Sequence, residues 1–379
     1  MKTPAIVATL ALLTGLNTRA TAAIITASAT VAERQPAPAP TALTFVPASA
    51  TAFGFEGRFD LTKTDAPVVV WQGSRIHLEF ESDTLELRFA DVKGQNFFNA
   101  ELDGHTTVIE LREGAPPHGV RFDGLGNGRH RLTLFKRSEA AAGTVRFLGA
   151  NLAPGAKPFP AVIPRRSLAL QFFGDSITAG ACNEDGAVDQ WEDRRTHNNA
   201  LSYAALTASA LQADYRNISV SGMGVALGWT EMKAYEIWDR VYPDPASPRA
   251  DLTTWIPDVI CVNLGENDDS FATSNRLPFP AIAYADGLVN LITSIRAAYP
   301  STHIVLLRGG MFGGARSEAL RPAWEGAVTR LKAGDQKFAA FVFKHWSSNH
   351  PRVSDHRAMA DELTSWLRDQ DFIQARARR

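Results

Sequence analysis

The sequence predicts two domains, an all-β sandwich of jelly-roll-like character followed by an α/β domain built as a three-layer α/β/α parallel sheet. Two changes of pattern carry this prediction. From about Phe53 apolar residues recur at every second position in short runs separated by turn signals, as in antiparallel sandwiches. Beyond residue 165 strand-like runs alternate with helical ones, the pattern of a parallel sheet covered on both faces. A chain of 379 residues, 45% hydrophobic and 21% charged, is globular and long enough for both.

The first segment is an address. Lys2 precedes the apolar run 5–13, and the small residues Ala20, Thr21 and Ala22 follow, which is the layout of a secretory signal with its cleavage site. That run is too short to span a bilayer, and no cysteine stands beside the cleavage site to carry a lipid. A secreted or periplasmic protein without a membrane anchor is therefore expected, with the signal at 1–22. Residues 23–50 are rich in Pro and Ala, favour extended conformations and read as a linker.

The β domain is expected at 51–155. Ile76, Leu78 and Phe80 alternate with His77, Glu79 and Glu81, and Leu85, Leu87 and Phe89 alternate with Glu86 and Arg88. Shorter runs follow at 100–102, 108–111, 129–135 and 144–148, with turn signals at Asp103-Gly104 and Gly126-Asn127-Gly128. A Pro/Gly-rich connector near 154–164 leads to the second domain at 165–372. Its strands are expected at 168–173, 217–221, 259–264, 303–307 and 339–343. Between them Leu201, Ala204, Ala205, Ala208 and Leu211 share one helical face, as do Tyr284, Leu288, Leu291, Ile292 and Ile295, and later Met359, Leu363, Trp366 and Leu367.

Four motifs follow these strands and so converge on one edge of the sheet, where open α/β sheets keep their sites. Gly174-Asp175-Ser176 exposes a serine; Ser221-Gly222-Met223-Gly224 and Gly265-Glu266-Asn267-Asp268 follow the next two strands; His350 comes after the last. Each supplies something that acyl transfer needs. A serine hydroxyl attacks only when a base takes its proton, and an imidazole titrates near neutrality. Ser176 and His350 are the catalytic candidates. Negative charge on the tetrahedral intermediate needs preorganised donors, supplied here by the backbone N–H groups of Ser176 and Gly222 and the side-chain amide of Asn267. Asp175 reads as a turn-stabilising residue, and His356 as part of a helix capped by Ser354 or Asp355. Trp191, Trp229 and Trp346 are candidates to stack on sugar rings, and Trp346 is preferred because it shares a loop with His350.

Lys plus Arg number 39 against 40 Asp plus Glu, for a net charge of -1, so no basic face for nucleic acid or anionic membrane is expected. The two cysteines, Cys182 and Cys261, cannot make a disulfide framework, and a single bridge between them is left open.

The four ordered blocks resemble those of the SGNH (GDSL-type) hydrolase superfamily. The resemblance narrows to carbohydrate esterase family 2, the acetyl xylan esterases and polysaccharide deacetylases. It rests on Gly57-Arg58-Phe59-Asp60 at the start of the β domain, on Asn183-Glu184 after the nucleophile, and on the segments 199–207 and 255–265. The resemblance implies an SGNH-type α/β/α domain behind a jelly-roll-like domain, working on O-acetyl esters of polysaccharides or oligosaccharides such as xylan or glucomannan, with no metal and no cofactor; separately, a monomer is expected. The superfamily's usual Asp, two or three residues before the catalytic His, is replaced by Ser348 and Ser347. A Ser–His dyad is therefore implied, with a backbone carbonyl holding the imidazole; Asp355 substitutes only if its loop folds back. A lipase or thioesterase of the same superfamily and a carbohydrate-binding protein on a weakened hydrolase scaffold are the competing readings, the latter disfavoured because Ser176, Asn267 and His350 are all present.

Overall fold

The computed structural model describes residues 42–377 apart from 116–117 and 164–165. The expected signal at 1–22, and the expected linker up to residue 41, lie outside the described residues.

The carboxy-terminal domain is a five-stranded parallel sheet. In chain order its strands are Ala169–Gly174, Asp214–Ser219, Val259–Asn263, His303–Met311 and Phe338–Ser347. The second strand lies outside the first, and the third, fourth and fifth follow on the other side. The chain therefore reverses its direction of winding between the first and third strands, and a crevice opens at their carboxyl ends.

Near-continuous apolar strands dictate two covered faces. Phe173, Ile218, Ile260, Val262, Ile304 and Leu306 pack on one side with the helices Ala281–Ala298 and Leu320–Gly334. On the other side Leu170, Phe172, Tyr215, Val259, Cys261 and Val305 meet Tyr203–Ala210 and Val353–Arg368. Two of the helical faces expected from sequence are buried, Tyr284, Leu288, Leu291, Ile292 and Ile295 in the first pair and Met359, Leu363 and Leu367 in the second; of the third, Ala204, Ala205 and Ala208 are buried, whereas Leu201 belongs to the preceding 3-10 turn and Leu211 caps the helix, both only partly buried. Trp366 is only partly buried, packed at that core's edge.

The amino-terminal domain is antiparallel throughout. Its organising element is the 19-residue strand Thr84–Leu102. The first part of this strand pairs with His118–Asp123 and Gly143–Leu152, and the second with His105–Arg112 and Arg129–Lys136. One chain segment thus serves two sheets over a shared core that includes Leu78, Phe80, Leu87, Phe98, Leu134 and Phe147. The sequence had suggested separate strands at 85–89 and 100–102. They join because the strand bends rather than turns: it carries bulges against Gly143–Leu152, and Asp91 (φ 46°) and Gly94 (φ 61°) adopt left-handed conformations within it.

Two expected boundaries move. Within the expected linker, Thr44–Pro47 forms a strand against residues 149–152, because Phe45 and Val46 can join the sheet's edge. Within the expected connector, Lys157–Phe159 pairs with residues 79–81. The β domain accordingly reaches further in both directions than 51–155.

The two domains share buried contacts. Val68, Val70, Trp71 and Ala140 belong to the same apolar cluster as Phe173 and Ile218. Fully buried Trp71 donates from Nε1 to the Val241 carbonyl at 2.7 Å, and Arg58 donates to the Trp238 carbonyl at 2.8 Å. Gln72 bridges to Asn217 Oδ1 at 3.0 Å and to the Ser219 carbonyl at 2.8 Å. Each of these polar groups is satisfied across the interface, so separating the domains would strand them as well as expose Trp71.

Candidate active site

Ser176 is the first residue of a short helix, Ser176–Ala179, that leaves the first parallel strand. Asp175 caps it, accepting from the Ile177 N–H at 3.0 Å, and so fixes the turn as expected. Burial pushes the Asp175 carboxyl up to about 8; the Ile177 N–H opposes this, and the neighbouring Glu266 and Asp268 carboxylates add to it.

His350 reaches this serine from the loop after the last strand. Its Nε2 lies 2.9 Å from Ser176 Oγ, and its Nδ1 lies 2.6 Å from Asp189 Oδ2. This corrects the expected dyad: the partner of Nδ1 is a carboxylate and not a backbone carbonyl. Asp189 Oδ1 in turn stands 2.8 Å from Arg352 Nη1. Burial works against ionising Asp189, yet the hydrogen bonds from His350 and Arg352 outweigh it and hold the carboxyl well below the ordinary carboxylate range.

Arg352 explains why Asp189 stands there. It donates to the carbonyls of Gly186 at 2.8 Å, Cys182 at 2.9 Å and His350 at 2.9 Å, which fastens the loop after Ser176 to the histidine loop. Asp355 serves elsewhere: its Oδ2 accepts from the Arg352 N–H at 2.8 Å and its Oδ1 faces His345 Nε2 at 2.8 Å. The helix start, not the catalytic loop, claims that carboxylate. His356 is a structural residue; it is fully buried and its Nδ1 accepts from the Tyr203 N–H at 3.1 Å.

Gly222 and Asn267 line the same cavity as Ser176 and His350. Gly222 has φ +80°, and a Cβ there would meet Trp229 Cβ at 3.1 Å, so the position needs glycine. The loop after it is pinned by Asp268, whose carboxylate accepts from the N–H groups of Val225, Ala226 and Leu227. The β domain holds its other flank, where buried Glu139 accepts from the Ser221 N–H at 2.9 Å. The Asn267 amide is oriented by donating to Asp175 Oδ2 at 3.2 Å and to the Met223 carbonyl at 3.0 Å.

The cavity measures about 500 Å3 and is flanked by Trp191 and Trp229. Trp346 lies outside it, which corrects the preference expressed for that residue. It belongs to the last strand, paired with Gly310, and its ring is held by Phe312 and by the Arg316 guanidinium, 5.2 Å from its centre. Trp229 is fixed by a hydrogen bond from Nε1 to Ser270 Oγ at 3.1 Å, and the Trp191 ring stands edge-on to His350 at 4.9 Å. Cys182 and Cys261 are both buried and unbridged.

Sequence reasoning missed Asp189, Arg352 and Glu139. The available signal was the polar, aperiodic stretch 183–193 directly after the nucleophile block, which contains Asp185, Asp189 and Asp193.

Two family models match the chain. One is the carbohydrate esterase 2 N-terminal domain, over residues 55–161, and the other the GDSL-like lipase/acylhydrolase family, over residues 172–370. The chain belongs to the GDSL-like lipase/acylhydrolase family. Its two-domain arrangement is that of the family 2 carbohydrate esterases. The cellulase/esterase CelE of Acetivibrio thermocellus is 32% identical over 329 residues, which are 83% of this chain and 39% of that protein. The chain therefore spans about two-fifths of the length of that relative. An acetylxylan esterase / glucomannan deacetylase of Cellvibrio japonicus is 26% identical, over 80% of this chain and 86% of its own. Among solved structures, a family two carbohydrate esterase from Clostridium thermocellum in complex with cellohexaose is 29% identical, with a TM-score of 0.73 over 84% of this chain and 98% of that one.

Proposed function

We propose that this carboxylic ester hydrolase removes O-acetyl groups from plant cell-wall polysaccharides such as xylan or glucomannan, acting outside the cytoplasm through a Ser–His–Asp triad and an acyl-enzyme. The observation that carries this reading is the chain of hydrogen bonds from Ser176 Oγ to His350 Nε2 at 2.9 Å and from His350 Nδ1 to Asp189 at 2.6 Å, at the edge of a cavity flanked by two tryptophans.

In the proposed reaction His350 Nε2 takes the Ser176 proton as Oγ attacks the acetyl carbonyl. Asp189 keeps the Nδ1 proton in place and stabilises the imidazolium. The N–H groups of Ser176 and Gly222 and the Asn267 amide receive the developing oxyanion. His350 then passes the proton to the departing sugar hydroxyl, and water, activated by the same imidazole, releases acetate. Trp191 and Trp229 offer aromatic faces to the apolar faces of pyranose rings. A lipase of the same family would use the same catalytic residues; what favours a sugar is that Ser221, Thr230, Ser270, Ser348 and Asn349 line the cavity with hydroxyl and amide groups able to hydrogen-bond its hydroxyls.

The test is acetate release from acetylated xylan, acetylated glucomannan and p-nitrophenyl esters of increasing chain length. The wild type should release acetate from polysaccharide and prefer acetyl over longer acyl groups, and Ser176→Ala should release none while keeping its fold. Preference for long acyl esters would replace this reading with the lipase one.

A further inference from the structure

Behind His350 and Asp189 lies a thiol that the proposed reaction does not use. Cys182 sits three residues beyond Ala179, the end of the nucleophile helix, in a left-handed conformation (φ 57°) that turns it beneath the site. One ligand atom each of Cys182, Asp189 and His350 lie within 4.8 Å of one another. A fourth donor is adjacent: His197 Nε2 is 3.5 Å from Cys182 Sγ. His197 is buried, its Nδ1 has no hydrogen-bond partner, and its Nε2 is engaged only by the thiol and by the Gln190 carbonyl at 3.1 Å.

We infer that Cys182, Asp189 and His350, with His197 as the neighbouring fourth donor, form an inhibitory site for a thiophilic divalent cation such as Zn2+ or Cd2+. The ligand chemistry is that of such ions, one thiolate with imidazole and carboxylate. Ligand atoms around a tetrahedral zinc are separated by roughly 3.3–3.8 Å, close to the spacing of the Cys182, Asp189 and His350 donors, while His197 touches the thiol alone and completes the set only by moving toward the other two. Other groups of three or more such residues at this spacing do not occur among the described residues. The ion arrives from the catalytic cavity, which Asp189 and Trp191 both line; the Trp191 ring stands edge-on to both imidazoles, 5.3 Å from that of His197 and 4.9 Å from that of His350.

Binding exchanges one proton for the metal: the Cys182 thiol releases H+ to solvent as its sulfur bonds to the ion. The Asp189 carboxylate adds the second negative charge, so the divalent ion is neutralised, and Arg352 keeps its place on Asp189 Oδ1. At His350 the ion takes the Nδ1 lone pair, which leaves the single proton of the neutral ring on Nε2. That nitrogen then points a proton at Ser176 Oγ and cannot accept one, so catalysis stops without any block of the cavity. The inhibitory consequence rests on the esterase reading; the metal site does not.

The experiment titrates the chelator-treated full chain with Cd2+ and with Zn2+, following the ultraviolet thiolate-to-cadmium charge-transfer band and, separately, hydrolysis of a soluble acetyl ester. The wild type should show one such band per chain and lose activity in parallel, with recovery on adding EDTA. Cys261, in the core of the parallel sheet, is the internal control, and Cys261→Ala should keep the band. Cys182→Ala and Cys182→Ser, made in parallel so that poor packing of one leaves the other, should keep basal activity, lose the band and need at least ~10-fold more metal for half-inhibition. A wild type without the band overturns the site whether or not the esterase is active. Inhibition of equal potency in the Cys182 variants overturns it too, since the metal would then be held by the His350–Asp189 pair alone.

Discussion

Asn267 donates from a single amide nitrogen to the Asp175 carboxyl and the Met223 carbonyl, and Asn267 itself lines the cavity that holds Ser176 and His350. Those bonds fix the orientation of the amide beside Ser176 and His350 before any oxyanion forms. Asn267→Ala should therefore lower kcat for acetyl ester hydrolysis by ~100 to 1,000-fold, with KM little changed. Michaelis kinetics decide it: a change confined to KM would make Asn267 a ground-state binding residue. At this scale the convergence of Ser176, Gly222, Asn267 and His350 on one cavity was legible because each ends or follows a strand whose apolar pattern announces where the backbone must surface. Asp189 was not, because it lies in an aperiodic loop and its place depends on Arg352, a residue distant in sequence. Trp346 misled for a related reason: proximity in sequence to His350 says nothing about which side of the strand a ring takes.

Helix Val353–Arg368 joins the catalytic loop to the core, and its capping arrangement through Arg352 and Asp355 fixes where His350 emerges. Within it, burial drives the His356 pKa down to about 3, with Asp355 opposing and His350 adding to the shift. The unfolded chain protonates this residue near ~6.5, so between those values the unfolded state binds a proton that the native state does not. Stability should fall as pH is lowered through that window, with His356 contributing up to about 1.4 kcal/mol per pH unit. His356→Asn keeps a hydrogen-bond acceptor but does not titrate; its urea midpoint should vary less between pH 7 and pH 4.5 than that of the wild type. An unchanged slope would mean that other groups dominate acid unfolding. Helices such as Ala281–Ala298 were legible because five apolar residues at helical spacing leave one buried face. The strand Thr84–Leu102 was not, since left-handed Asp91 and Gly94 bend it where a turn would otherwise be read.

Across the whole molecule the β domain does more than cover an edge of the hydrolase domain. Glu139 holds the Ser221 N–H beside Gly222, while Gln95 exchanges hydrogen bonds with Glu192 and Arg194 in the loop that follows Asp189. A chain starting at Lys157 would expose the surface that Val68, Val70 and Trp71 cover. At about 1.5–3 kcal/mol per large buried side chain, it should aggregate or melt about 10 °C or more below the full chain. A soluble truncation with full activity and unchanged melting temperature would refute that dependence. The proposed triad is a property of the whole fold, since these hydrogen bonds join a strand-end serine, a loop carboxylate and a histidine far along the chain. The measurement that tests it most directly is kcat of Asp189→Asn beside Asp355→Asn, with folding checked by melting temperature. Asn can donate to His350 Nδ1 and so favours the wrong tautomer; Asp189→Asn should lose roughly 10,000-fold in kcat, as when a triad carboxylate is neutralised, and Asp355→Asn less than about tenfold. A folded Asp189→Asn variant within tenfold of the wild type would contradict the triad and return His350 to a dyad.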